Sequence, residues 1–357
     1  MYLFICIRYF TLSRIMKRLM FILIISLIGI SVFIYIKTLN LNGYQAKAEE
    51  KVYRNSFSQQ KINILDVINK NMLLRDEKLY KGDSIKVGIL DTGIDYNNKE
   101  LRIQDGVSTI NDTNNYMDYN GHGTHVAGII ESVTAHKNNS VGISPSVQLF
   151  AIKALNDKGD AKASSVIAGV QWAIDHHIDV LNMSIGSEIN SKGIRNILEK
   201  AYKSGMFIVA PVGNNGYSIK SNITYPAKYD IVFSVGSVNN KLKRSAFSSM
   251  GSELDIVAPG EKIYGPSLNN SHTYETGTSM ASPYVAGVAA LLLSANKDLS
   301  PNDLKNILEL SADPLGDIHK YGNGIIDIPR ALSLALLKKK NVKLYKHHTI
   351  LYKDVII

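Results

Sequence analysis

Four short segments of the chain carry residue types that together suit nucleophilic attack on a carbonyl. Residues 275–283, Glu-Thr-Gly-Thr-Ser-Met-Ala-Ser-Pro, lead into the small apolar run 284–293, which reads as a tightly packed helix. Pro283 fits such a helix within its first turn, where a missing N–H costs nothing. That places Ser279 at or just before the helix start, where unpaired N–H groups and the positive dipole end favour negative charge. A serine there is suited to act as a nucleophile, with its own N–H available to the resulting oxyanion. A serine that merely caps a core helix gives the same local pattern, so its partners must decide. Residues 86–90, Lys-Val-Gly-Ile-Leu, read as a buried strand and deliver Asp91, followed by Thr92 and Gly93. His122 follows 31 positions after Asp91, flanked by Gly121 and Gly123 in the stretch 120–128. Residues 208–212 run into Gly213, Asn214, Asn215 and Gly216. The set comprises an alcohol, a base that titrates near neutrality, a carboxylate to orient the base, and an amide donor.

The elements around these segments must bring them together. Apolar runs at 85–90, 147–152, 179–183, 207–212, 231–235 and 254–257 read as strands. Helices are expected at 125–133, 163–176, 193–203, 279–295, 301–310 and 328–337. Continuously apolar strands between helices predict an α/β fold of three layers, with a mostly parallel sheet covered on both faces. Reactive groups in such sheets gather at the C-terminal ends of the strands. With 357 residues the chain is long enough for one large domain plus extensions.

Its net charge of +9 comes from scattered basic residues and no nucleic-acid motif accompanies it, so solvated charge is the expectation. Cys6 is the only cysteine, which excludes disulfides and cysteine metal sites from the main body. Residues 19–36 are uncharged and apolar, lie behind Lys17 and Arg18, and reach the length of a spanning helix. Basic residues upstream place the N-terminus in the cytoplasm and the rest of the chain outside. Ala46-Lys47-Ala48 offers a small-x-small cleavage site, so a cleaved signal peptide and an uncleaved membrane anchor both stand.

Asp91-Thr92-Gly93, His122-Gly123-Thr124-His125 and Gly277-Thr278-Ser279-Met280-Ala281-Ser282-Pro283 resemble the three signatures of the subtilisin-like serine proteases, in that family's order. The resemblance spans roughly residues 84–337 and implies the subtilisin-like α/β fold. It divides the chain into an N-terminal segment 1–48, a lead-in 49–83, a catalytic domain 84–337 and a basic tail 338–357. It implies that Ser279 is the nucleophile, His122 the general base, Asp91 the orienting carboxylate and Asn214 the side-chain oxyanion donor. His125 reads instead as a packed helix residue.

For the substrate, the resemblance implies that Ser184, Ile185 and Gly186 form one wall of the primary pocket, with Lys158, Gly159 and Asp160 as the opposite strand. A peptide or protein substrate would lie between them as an added strand. Residues 210–212 and Thr224 with Tyr225-Pro226 resemble the other wall and the base of the pocket, and that X–Pro bond is cis in the family. Asp157 and Asp160 suit basic substrate residues, but solvated loop charges read the same way. No cofactor is implied for the chemistry. A structural calcium is, with Glu100, Asn138 and Asn139 as candidate ligands. The expected state is a monomer that binds no nucleic acid and meets the membrane only through an uncleaved N-terminal segment.

The family's exported members carry a prodomain of several tens of residues, whereas 43 positions separate Ala48 from Asp91. A single Asp-Thr-Gly and alternating helices argue against an aspartic protease. The resulting expectation is an exported serine endopeptidase that removes leaders from lantibiotic precursors. A general degradative protease, and a silent relative that serves as a binding module, are the alternatives.

Overall fold

The computed structural model describes residues 80–110, 115–132, 142–217 and 222–339. The apolar segment 19–36, the cleavage site 46–48, Asn138, Asn139, and the tail beyond residue 339 lie outside the described residues.

The apolar runs form β1 (Lys86–Asp91), β3 (Gln148–Lys153), β4 (Val180–Met183), β5 (Phe207–Pro211), β6 (Phe233–Val238) and β7 (Ile256–Pro259). One sheet holds them in the order β10-β11-β7-β6-β5-β4-β1-β3-β2, where β2 is Ile103–Ser108, β10 Ala312–Asp313 and β11 Ile325–Ile326. Every pairing is parallel except that of β10 with β11. Burial on both faces makes these strands mostly apolar, as expected of a parallel sheet. The strand β2 was not expected. It lies on the sheet edge and its residues Gln104 and Asp105 are exposed, so its sequence reads as a polar loop.

Alternation along the strands assigns each side chain to a layer. Val87, Ile89, Leu149, Ala151, Val180, Phe207 and Val209 face the layer of α1 (His122–Glu131), α4 (Thr278–Ala295), α5 (Pro301–Ser311) and α7 (Ile328–Lys339). Leu90, Phe150, Ile152, Leu181 and Ile208 face α2 (Ala163–Asp175) and α3 (Lys192–Lys203). By this parity Asp91, two residues beyond Ile89, turns toward α1 and α4. Asn182 and Ser184 on the neighbouring strand do the same.

The helix α4 is apolar and long enough to cross a membrane, but it is 89% buried inside the domain and serves as its central core helix. Small residues let it pack closely: a Cβ on Gly287 would lie 2.7 Å from the Cβ of Ile143. Its start differs from the expectation. The helix begins at Thr278, so Ser279 is its second residue and Pro283 stands beyond the first turn. An interior proline removes the N–H that would reach the carbonyl four residues back, here that of Ser279. Ser184 supplies the missing donor, its hydroxyl lying 3.2 Å from the Ser279 carbonyl oxygen. The proline is tolerated because the end of β4 has taken over its bond.

Two further strands, β8 (Ile263–Pro266) and β9 (His272–Glu275), form a separate antiparallel hairpin that leads directly into α4. A short helix, α6, spans Ile318–Tyr321.

Ser184→Ala leaves the Ser279 carbonyl without its donor and removes the acceptor for the Asn182 side-chain amide, 2.9 Å away. Losing buried partners of this kind costs about 1–3 kcal/mol. Urea unfolding in a Ser279→Ala background, which excludes self-digestion, should show that loss with an unchanged m-value. An unchanged midpoint would contradict the compensation.

Candidate active site

The C-terminal ends of β5, β4 and β1 form a row, because these strands are neighbours in the sheet. Leu90 pairs with Met183, so Asp91 and Ser184 follow at the same level on adjacent strands. Gly213 and Asn214 continue the row just past β5.

The carboxylate of Asp91 is fully buried, and its Oδ1 lies 2.8 Å from His122 Nδ1. The same oxygen accepts the Thr92 N–H at 2.7 Å. A carboxylate acceptor at Nδ1 places the ring proton there and leaves Nε2 as the basic nitrogen. Burial works against the charged imidazole, but the Asp91 carboxylate more than offsets it. With Asp118 and Glu275 adding to the effect, the His122 pKa rises to about 9.

Two glycines permit this approach of chain to chain. A Cβ on Gly123 would lie 2.1 Å from the carbonyl oxygen of Gly93. Gly93 itself has φ +108°, and a Cβ there would lie 2.4 Å from the Tyr116 carbonyl oxygen.

Asp118 fixes the loop that carries His122. Its Oδ1 accepts from the Thr92 hydroxyl and from the N–H groups of Asn120 and Gly121. Its Oδ2 accepts from the N–H and hydroxyl of Thr124. Thr92 in turn accepts the Gly123 N–H at 3.0 Å. The positive start of α1 favours a carboxylate at this point. Sequence reasoning passed over Asp118, although a short acidic residue just ahead of a helix is the usual signal of a capping acceptor.

Lys153 was also missed. It is buried at the end of β3, and its ammonium donates to the Thr92 carbonyl at 2.7 Å and to Asp157 Oδ1 at 2.9 Å. Asn120 donates to the Asp157 carbonyl at 2.8 Å. The loop after β3 is thereby tied both to β1 and to the His122 loop. Asp157 already has a cation partner, which weakens the case for it as a selector of basic substrates. Lys158, Gly159 and Asp160 correct the expectation of an extended strand. They form an exposed turn, with Gly159 at φ +83° and the Asn156 N–H bonded to the Asp160 carbonyl.

Ser279 lies on the first turn of α4, beside Ser184 and Asn214. Asn214 Oδ1 accepts both the N–H and the hydroxyl of Thr278, at 3.0 and 2.9 Å. Those two bonds orient the amide so that Nδ2 remains as the donor. A Cβ on Gly277 would lie 3.5 Å from Asn214 Nδ2 and 3.8 Å from the Ser279 nitrogen, so both donors border one small space. Asn215 points elsewhere, with its amide toward Glu188 at 3.4 Å. Ser187 and Tyr225 pair as an antiparallel bridge, Gly186 lies against the Thr224 side chain, and the Tyr225-Pro226 bond is cis.

Glu100 is the one calcium candidate among the described residues. Its Oε1 pairs with His272 Nε2 at 2.6 Å and its Oε2 accepts the Ser132 hydroxyl at 3.0 Å. Both oxygens therefore serve protein groups, and no cluster of three His, Cys, Asp or Glu side chains suited to a metal occurs among the described residues.

His125 does more than fill space. Its ring is fully buried, its Nε2 lies 3.1 Å from the Ile263 carbonyl oxygen, and it packs on Gly265 of the β8–β9 hairpin. It thus clamps α1 to the hairpin that delivers Ser279. Burial lowers its pKa to about 4, while the unfolded imidazole titrates near 6.5. Between those values the unfolded chain holds more protons, so stability is lost as pH falls from 6.5 to 4. Glu131, raised to about 7 by burial against the pull of Arg102, slopes the other way above pH 4.5. Its effect is common to the wild type and His125→Gln and cancels in their difference. In a Ser279→Ala background, the unfolding free energy of the His125 form should gain on that of the Gln variant between pH 4 and 6.5. The gain should be on the order of 3 kcal/mol. A flat difference would contradict the buried, neutral ring.

Comparison with known proteins agrees with this geometry. The subtilase family model (Peptidase_S8) matches residues 82–324. Subtilisin DY of Bacillus licheniformis is 43% identical over 253 residues, which cover 71% of this chain and 92% of that protein. Subtilisin of Bacillus pumilus is 40% identical over 257 residues, 71% of this chain and 92% of its own length. Subtilisin E of Bacillus subtilis has the same identity, with 66% of its length covered. A family match over most of the chain and relatives at this identity lead to one conclusion: the chain belongs to the subtilase family and is a serine endopeptidase.

Proposed function

We propose that Ser279, His122, Asp91 and Asn214 hydrolyse peptide bonds as one unit. His122 Nε2 takes the Ser279 hydroxyl proton as the oxygen attacks the carbonyl carbon, and later returns it to the leaving amine. Asp91 holds the ring and stabilises the imidazolium. Asn214 Nδ2 and the Ser279 N–H receive the oxyanion; in subtilisin itself, removing the side-chain donor costs about 2.7–4 kcal/mol. Water then releases the acyl group by the same proton path. The observation that carries this reading is the 2.8 Å bond between a fully buried Asp91 and His122, at the C-terminal ends of strands whose neighbours Ser184 and Asn214 bond the first turn of α4, where Ser279 stands.

The peptide lies along Ser184, Ile185 and Gly186 as an added strand, with the turn Lys158, Gly159 and Asp160 across from it. The enzyme acts outside the cell, exported or anchored through residues 19–36, as a processing protease of the lantibiotic leader-peptidase kind. A structural calcium, if the chain holds one, is a matter of stability and takes no part in these steps.

Incubation with casein and a serine-directed phosphonate tests the chemistry: cleavage and an adduct on Ser279 are expected. No cleavage and no adduct would favour a silent binding module. Peptide-library profiling separates one preferred site, as processing requires, from the broad cleavage of a degradative enzyme.

Because the base must be neutral, kcat/KM should rise with pH along a limb whose midpoint lies well above 6.5, toward the value of about 9 set by Asp91. Asp91→Asn should move that limb down and lower kcat by roughly 10⁴, the size known for this residue in triads of this type. A wild-type limb at or below 6.5 would contradict the assigned pair.

A further inference from the structure

The scissile carbonyl sits between Asn214 Nδ2 and Ser279 in the proposed reaction, so the side chain on its acyl side has one place to go. Ser184 touches Ser279 and Gly213 adjoins Asn214, which directs that side chain into the slot between residues 184–186 and residues 211–213. Thr224 occupies the floor of this slot. A Cβ built on Gly186 would lie 2.8 Å from Thr224 Oγ1. One built on Gly213, from the other side, would lie 2.9 Å from the same oxygen and 3.0 Å from Thr224 Cγ2.

The two backbones are thus separated by little more than the threonine itself, and both are glycine where they meet it. The plug is fixed. Thr224 is buried, its N–H bonds the Val212 carbonyl at 3.0 Å, and its hydroxyl reaches the same oxygen at 3.3 Å. The β-branched side chain is stiff at χ1, and the Ser187–Tyr225 bridge holds the next residue.

We infer that Thr224 makes this enzyme selective for a small acyl-side residue, glycine, alanine or serine, and excludes leucine, phenylalanine, lysine and arginine. This deepens the proposed function and rests on it. Charge at Asp157 or Asp160 then has no part in choosing the acyl-side residue, because a long basic side chain cannot enter beside Thr224.

The test uses peptides that differ only at that residue, with the wild type, Thr224→Gly and Thr224→Ser. Wild-type kcat/KM should be at least about tenfold higher for alanine than for phenylalanine or leucine, the discrimination a fixed apolar pocket can supply. Thr224→Gly should raise the kcat/KM of the phenylalanine and leucine peptides relative to the alanine peptide by about 10–100-fold. Thr224→Ser, which keeps the hydroxyl and loses one methyl, should fall between and covers the case in which the glycine variant does not fold. A wild type that prefers leucine or phenylalanine, or variants with an unchanged ranking, would overturn the inference. Parallel labelling with alanyl and phenylalanyl phosphonates separates the two layers of the argument. Ser279 labelled without alanine preference sinks only the selectivity, whereas no label from either reagent sinks the proposed function as well.

Discussion

A carboxylate removed from water and bonded to one edge of an imidazole is the interaction on which the rest of this molecule depends. Asp91 is fully buried, and its Oδ2 has no hydrogen-bond partner among the described residues. Burying a charged group costs several kcal/mol unless nearby donors answer it. Here the Thr92 N–H and the His122 ring share one oxygen, so the ring is held where the carboxylate needs it. The same bond makes His122 a stronger base than an isolated histidine, despite burial that works against its charge.

Much of the surrounding structure holds that pair in place with polar groups. Asp118 joins Thr92, beside Asp91, to the turn that carries His122. Lys153 joins the Thr92 carbonyl to the loop after β3. On the other side, Ser184 links the end of β4 to the Ser279 carbonyl that Pro283 leaves free, and His125 joins α1 to the hairpin ahead of α4. Each of these bonds joins two different elements. Most of them are buried, where an unmade partner is expensive and a satisfied one is rigid. The core supplies the cohesion of the domain. These polar ties set the relative positions that chemistry requires.

The motifs were legible because each is local: a carboxylate at the end of an apolar strand, a histidine between glycines, a serine ahead of a small-residue helix. The central strands were legible because burial on both faces makes them mostly apolar. What escaped was of longer range or mixed exposure. The half-exposed edge strand Ile103–Ser108 and the short hairpin Ile263–Glu275 lack the periodicity of a covered strand. Asp118 and Lys153 bond Thr92 across 26 and 61 positions; the helix start beside Asp118 hints at a capping acceptor, but nothing local announces the bond to Thr92. Pro283 was read by the rule for first turns. Its actual place depends on a donor 95 positions away from the carbonyl it frees. Asn214 was separable from Asn215 by its glycine neighbour alone, and the bonds to Thr278 supply the physical reason.

The central claim is that an alcohol, an imidazole and a carboxylate act as one proton-transfer unit. Single-turnover rates for Ser279→Ala, His122→Ala and the double variant test this most directly on one peptide. Groups that act together lose nearly everything with the first removal, so the double variant should be no slower than either single one, each down by roughly 10⁶. Losses that multiply, leaving the double variant far below both singles, would show that the two side chains act independently and would contradict the account.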